Sequence, residues 1–262
     1  MSKTSNSDGA FELTFPNISH LKGLLDHLKA TNENEGNFVL TKDSITYQSS
    51  GFGNKLLNDI SLDISTFPYK YMYDGDELVV GIEVQAFKNQ LNSPQKNSQV
   101  NIKKEAGSDY VKITPYSSSH MRSTGNSSQI KLKSIDYDIV EVPEYDKSPL
   151  CIVTTNEMAK NLVNLCTGSK NPTMSIVCGS SGIRFQSRHN FDIAVNTYTI
   201  GEVSDDNAAD VYTVSHHIIK ALGKLASINK EKPCRIFYKK GLPLRISVPI
   251  SDDNGLLNVY IA

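Results

Sequence analysis

Phe38–Ser50 reads FVLTKDSITYQSS, and Ser175–Arg188 reads SIVCGSSGIRFQSR. Both runs carry Ile-x-aromatic-Gln-Ser, beginning at Ile45 and at Ile183, after an alternating strand and a turn. Self-similarity at a long period marks a duplicated unit, and the flanking sequence extends the match. About 40 residues beyond each run lies a stretch with helical spacing, Ile82–Leu91 and Val214–Ile228. An alternating hairpin follows each, Val100–Tyr116 and Cys234–Ile250. Ahead of each run sits another helical stretch, Ile18–Thr31 and Thr155–Gly168. Matched elements are about 131 to 138 residues apart, half the chain.

Each half therefore reads strand, helix, several strands, helix, several strands. The expected fold is α+β, two tandem similar domains whose helices lie on one face of antiparallel sheets. The expected boundaries are an N-terminal extension at 1–10, a first domain at 11–133, a connector at 134–150 and a second domain at 151–262. The connector is acidic and its far end carries prolines. Asp74-Gly75 and Asn254-Gly255 are hairpin turn signals. The Ser-rich run Ser117–Gln129 reads as a loop. Gly255–Ala262, GLLNVYIA, reads as an ordered strand or as part of a surface that something touches, because a free terminus would fray.

With 27 Lys+Arg against 28 Asp+Glu the net charge is −1, so no global basic field advertises nucleic acid. DNA binding would need charge segregated onto one face. No apolar run approaches the roughly 18 residues of a membrane span, and the first ten residues are polar, which predicts a soluble, intracellular protein. Cys151, Cys166, Cys178 and Cys234 form no C-x-x-C pair and read as buried reduced thiols. There is no phosphate-binding glycine loop, nucleophile elbow or zinc-protease motif. His216-His217 and Asp26-His27 read as polar positions on amphipathic helices, and Asp74–Glu77 as a turn. The expectation is a protein that is not an enzyme and takes no metal or cofactor. Within the helical stretches lie Lys22, Lys29, Lys88, Lys160, Lys220 and Lys224, against Asp26, Glu83 and Glu157. Four helices on one side of the sheets would gather these lysines into a basic face.

The ordered set FELTFPNISHLKGLLDHLK (Phe11–Lys29), VVGIEVQAFKNQLN (Val79–Asn92), IDYDIVEVPE (Ile135–Glu144), GLPLRISVPI (Gly241–Ile250) and GLLNVYIA resembles the DNA sliding clamps of the proliferating cell nuclear antigen family, over Phe11–Ala262. The resemblance implies a homotrimeric ring whose helices encircle duplex DNA without reading its sequence. It also implies a clamp loader that supplies ATP chemistry, and tethered polymerases and repair factors. It places a partner-peptide groove at Asn54, Val140, Val142, Pro143, Pro243, Tyr260, Ile261 and Ala262, with the chain end at the rim. It places the subunit interface on a strand containing Tyr110, Lys112 and Thr114, pairing with one containing Phe191, Ile193 and Val195. Departures from the family are Asn89 and Asn92 where it has a lysine pair, Val163 for an arginine, and Asn54 for a histidine. The Asn, Ser and Lys content suits a large DNA virus or a distant eukaryote, implying the nucleus or a cytoplasmic virus factory. The alternative role is a clamp-fold protein that forms no closed homotrimer: a checkpoint-type heterotrimer subunit, or a viral transcription or processivity factor.

Overall fold

The computed structural model describes residues 9–64, 71–73, 75–91, 98–116, 127–136, 138–145, 149–165, 173–188, 195–203, 210–230, 232–250 and 255–262. The first half contains β1 (Phe11–Phe15), α1 (Ile18–Ala30), β2 (Glu35–Leu40), β3 (Ser44–Gly51), β4 (Leu56–Asp63) and β5 (Tyr71–Met72). It continues with β6 (Leu78–Glu83), α2 (Val84–Gln90), β7 (Gln99–Lys104), β8 (Tyr110–Tyr116) and β9 (Ser128–Lys131). The second half opens with β10 (Cys151–Thr154), α3 (Thr155–Leu165), β11 (Thr173–Cys178), β12 (Ser181–Arg188) and β13 (Val195–Glu202). It closes with β14 (Asp210–Ser215), α4 (His216–Gly223), a 3-10 turn (Lys224–Ser227), β15 (Pro233–Phe237), β16 (Leu244–Ile250) and β17 (Gly255–Ile261). The fold is α+β with antiparallel sheets, as the alternating strands and helical stretches predict.

Local chemistry sets the helix ends. Asn17 is extended, and its side chain accepts the Ser19 N–H at 2.8 Å, satisfying a donor that the first turn of α1 leaves open. The Thr31 hydroxyl donates to Leu28 O at 2.7 Å at the other end. Between them Ile18, Leu21, Leu24, Leu25 and Leu28 are buried, one stripe of an amphipathic helix.

The strand orders are β5-β1-β7-β8-β9, β10-β15-β16-β17-β4-β3-β2-β6 and β13-β12-β11-β14. The order repeats between halves: β6-β2-β3-β4 has the connectivity of β14-β11-β12-β13, and β1-β7-β8-β9 that of β10-β15-β16-β17. The halves meet in the long sheet, where β17 pairs with β16 on one side and with β4 on the other, from Gly255↔Leu62 to Ile261↔Leu56. GLLNVYIA is thus an interior strand at the seam, and Ala262 N–H donates to Lys55 O at 3.1 Å. One apolar core runs through both halves.

The helices form a row. α1 touches α2 on one side and α4 with the 3-10 turn on the other, and α3 packs on α4. Gly23 permits the closest of these approaches, since a Cβ there would lie 2.1 Å from Ser227 O. His27 is fully buried at the same junction, so it is not the exposed polar position its sequence context suggests. Its Nδ1 lies 3.2 Å from Ala221 O on α4 and its Nε2 2.9 Å from Asn58 Oδ1 on β4, and burial holds its pKa below 6.5.

The interface strand needs correction. Tyr110, Lys112 and Thr114 lie on β8, which pairs with β7 along its length and with β9 from Tyr110↔Lys131 to Ile113↔Ser128. Over Tyr110–Ile113 the strand is bonded on both sides and has few free main-chain groups, and the edge on that side of the sheet is β9. On the other side Phe191 and Ile193 fall outside the described residues, while Val195 opens β13, an edge strand.

Candidate partner groove and helix face

The helix row carries the predicted lysines in two environments. Lys29, Lys160, Lys220 and Lys224 are exposed, whereas Lys22 and Lys88 are half-buried. Burial holds the Lys22 pKa below its ordinary value, against the opposing pull of Asp26. Lys88 lies 2.5 Å from the Asp26 carboxylate, which ties α2 to α1 and removes that cation from the free set. Glu83 pairs instead with Lys133, at 3.7 Å. Of the departures, Asn89 and Val163 are exposed and Asn92 lies outside the described residues. On α4 the His216 and His217 rings lie 3.9 Å apart between centroids, tilted by 40°, and burial, His217 and Lys220 all depress the His216 pKa. Among the described residues no group of His, Cys, Asp or Glu could hold a metal ion. Cys178 and Cys234 are buried and Cys151 half-buried, all free, with burial raising their thiol pKa values to about 12, 12 and 11. Cys166 lies outside the described residues.

On the outer side of the long sheet the connector bridges a hollow of about 370 Å³. Six predicted residues line it: Asn54, Val140, Pro143, Pro243, Tyr260 and Ala262. Ser50, Lys55, Leu57 and Glu141 complete it. Two predicted residues do not take part. Val142 is 37% exposed on the connector and is not in the lining. Ile261 is fully buried in the core, because successive side chains on β17 alternate and Tyr260 takes the outer face. Asn54 sits on a left-handed stretch with Phe52 and Gly53, at φ values of 65°, 54° and 68°. Asn is among the few side chains that adopt this conformation readily. A second hollow, lined in part by Val211, Tyr212 and Leu242, shares Pro243 and Ala262 with the first and lengthens the surface.

Two anchors hold the connector that residue-type reasoning did not single out. At its C-terminal side the Tyr145 hydroxyl donates to Pro243 O. The Tyr145 ring lies 6.2 Å from that of Tyr260 and 6.4 Å from that of Phe237. The Arg245 guanidinium lies over both rings, 3.8 Å from the Phe237 centroid and 4.6 Å from the Tyr145 centroid, making two cation–π contacts. Burial pushes the Tyr145 pKa up to about 12. At its N-terminal side Gln48 bonds to the main chain of Val140. Ile139, Val140 and Val142 stand exposed along the same strap, 60%, 45% and 37% accessible, so the rim is apolar and open.

No family model and no curated protein matches the chain. No helix of the described residues is long and apolar enough to cross a membrane.

Proposed function

We propose that the chain is a sliding clamp: a protein that joins copies of itself head to tail around duplex DNA and tethers replication and repair enzymes through the groove beneath its connector. The observation that carries the proposal is the seam. β17 and β4 pair across the two halves, and by the repeated strand order their counterparts are β9 and β13. Among the described residues both counterparts are sheet edges in a single copy, and edges are normally covered or paired. If β9 of one copy pairs with β13 of the next as β17 pairs with β4, each junction between copies repeats the internal one. A heterologous junction of that kind closes into a ring when the rotation permits.

The rest fits. A row of helices with exposed Lys29, Lys160, Lys220 and Lys224 suits sequence-independent attraction to phosphates, screened by salt. A hollow of about 370 Å³ with apolar and a few polar walls falls in the size range of ligand pockets and suits a peptide side chain. Light scattering at micromolar concentration tests the ring. The expected mass is near three times 28.9 kDa. A monomer at every concentration overturns the closed homotrimer and favours a clamp-fold protein working with unlike partners.

A further inference from the structure

Both main-chain hydrogen-bonding groups of Val140 are taken by one side chain. Val140 N–H donates to Gln48 Oε1 at 2.9 Å, and Gln48 Nε2 donates to Val140 O at 3.2 Å. A primary amide presents the same donor and acceptor as a peptide unit, so Gln48 serves Val140 as a one-residue strand. Its orientation is fixed from behind, because Gln48 Nε2 also donates to Asp59 Oδ1 at 3.1 Å and a carboxylate can only accept. Asp59 Oδ2 in turn faces Asn258 Nδ2 at 3.5 Å, and Ser247 Oγ donates to Asn258 Oδ1 at 2.6 Å. This polar ladder crosses β3, β4, β17 and β16, including the seam, before it reaches the connector. With Tyr145 bonded to Pro243 at the other end, the strap is pinned on both sides of the rim residues Glu141–Glu144.

We propose, resting on the docking reading above, that Gln48 is a positioning residue that presets the groove by holding the connector at Val140. Presetting the strap lowers the ordering cost that an incoming peptide would otherwise meet.

The test compares the wild type with Gln48→Ala and Gln48→Glu by hydrogen exchange and by titration of a labelled Gln-x-x-aliphatic-x-x-aromatic-aromatic peptide, the pattern that the clamp resemblance implies for groove partners. In Gln48→Ala the Val140 amide should exchange at least about tenfold faster while β3 amides are unchanged, and peptide affinity should fall about tenfold, equivalent to about 1.4 kcal/mol. Gln48→Glu keeps an acceptor for Val140 N–H but, when ionised, has no donor for Val140 O and sits against Asp59. Its affinity relative to wild type should recover as the pH falls towards the ordinary carboxyl value of about 4.3, where the side chain regains a proton to donate. Wild-type exchange at Val140 in Gln48→Ala overturns the proposal. So does wild-type affinity despite faster exchange. If the wild type binds no such peptide, the docking reading falls, and the exchange comparison alone decides whether Gln48 holds the connector.

Discussion

Replacing Gly23 by Ala sets helix propensity against tertiary packing, and the two predict opposite signs. Inside an isolated helix the change stabilises by about 1 kcal/mol, because Gly loses more backbone freedom on folding. Here the new Cβ would lie 2.1 Å from Ser227 O, 2.4 Å from Ser227 C and 2.7 Å from Ile228 N. These are backbone atoms and cannot rotate away, so α1 and the 3-10 turn must part by about 1 Å to reach ordinary van der Waals separation. Overpacking of this kind costs typically about 1–3 kcal/mol, and a backbone-on-backbone clash belongs at the upper end. The net expectation is a loss of about 2 kcal/mol, or about 4–8 °C in Tm for a chain of this size. The chain has no Trp, so far-UV circular dichroism is the suitable probe of melting. A Tm equal to or above that of the wild type would refute the close packing of α1 on the second half.

Glu33 is a partly buried carboxyl whose pKa burial raises from 4.5 to about 7. Below 4.5 both folded and unfolded chains hold the proton; as the pH rises to 7 the unfolded chain ionises first, so stability drains away, by about 1–2 kcal/mol after allowance for solvent screening. Glu33→Gln lacks this dependence, so its Tm relative to wild type should climb between pH 4.5 and 7. His27 acts the opposite way, since its depressed pKa lowers stability as the pH drops below 6.5, but it is common to both proteins and cancels in the comparison. Parallel Tm curves would sink the assignment. For the helix face, changing Lys29, Lys160, Lys220 and Lys224 together to Ala should flatten the slope of log affinity against log salt by roughly 0.9 for each DNA phosphate no longer neutralised, with the solution mass unchanged. An unaltered slope would remove those lysines from the DNA-binding face.

Period and punctuation in the sequence located the four helical stretches and the alternating hairpins, but not β9 (Ser128–Lys131), whose first residues fell in the run read as a loop. The stripe Ile18, Leu21, Leu25, Leu28 gives α1 because 3.6-residue spacing buries one face. Alternation in Leu244–Ile250 and Gly255–Ile261 gives the closing hairpin, and the repeated Ile-x-aromatic-Gln-Ser marks the duplication. The tertiary structure decided which elements are neighbours. Alternation tells which face of a strand is buried but not which strand lies beside it, so nothing in it corrected the interface that the resemblance placed on β8, which β9 covers. It likewise could not reveal that β17 pairs with β4, some 200 residues away in sequence. The same limit governs the side chains. Lys88 is paired with Asp26 on another helix, and His27 is buried against α4. Gln48, in plain view within the opening motif, acquires its role only because folding carries Val140 across 92 residues of chain to meet it.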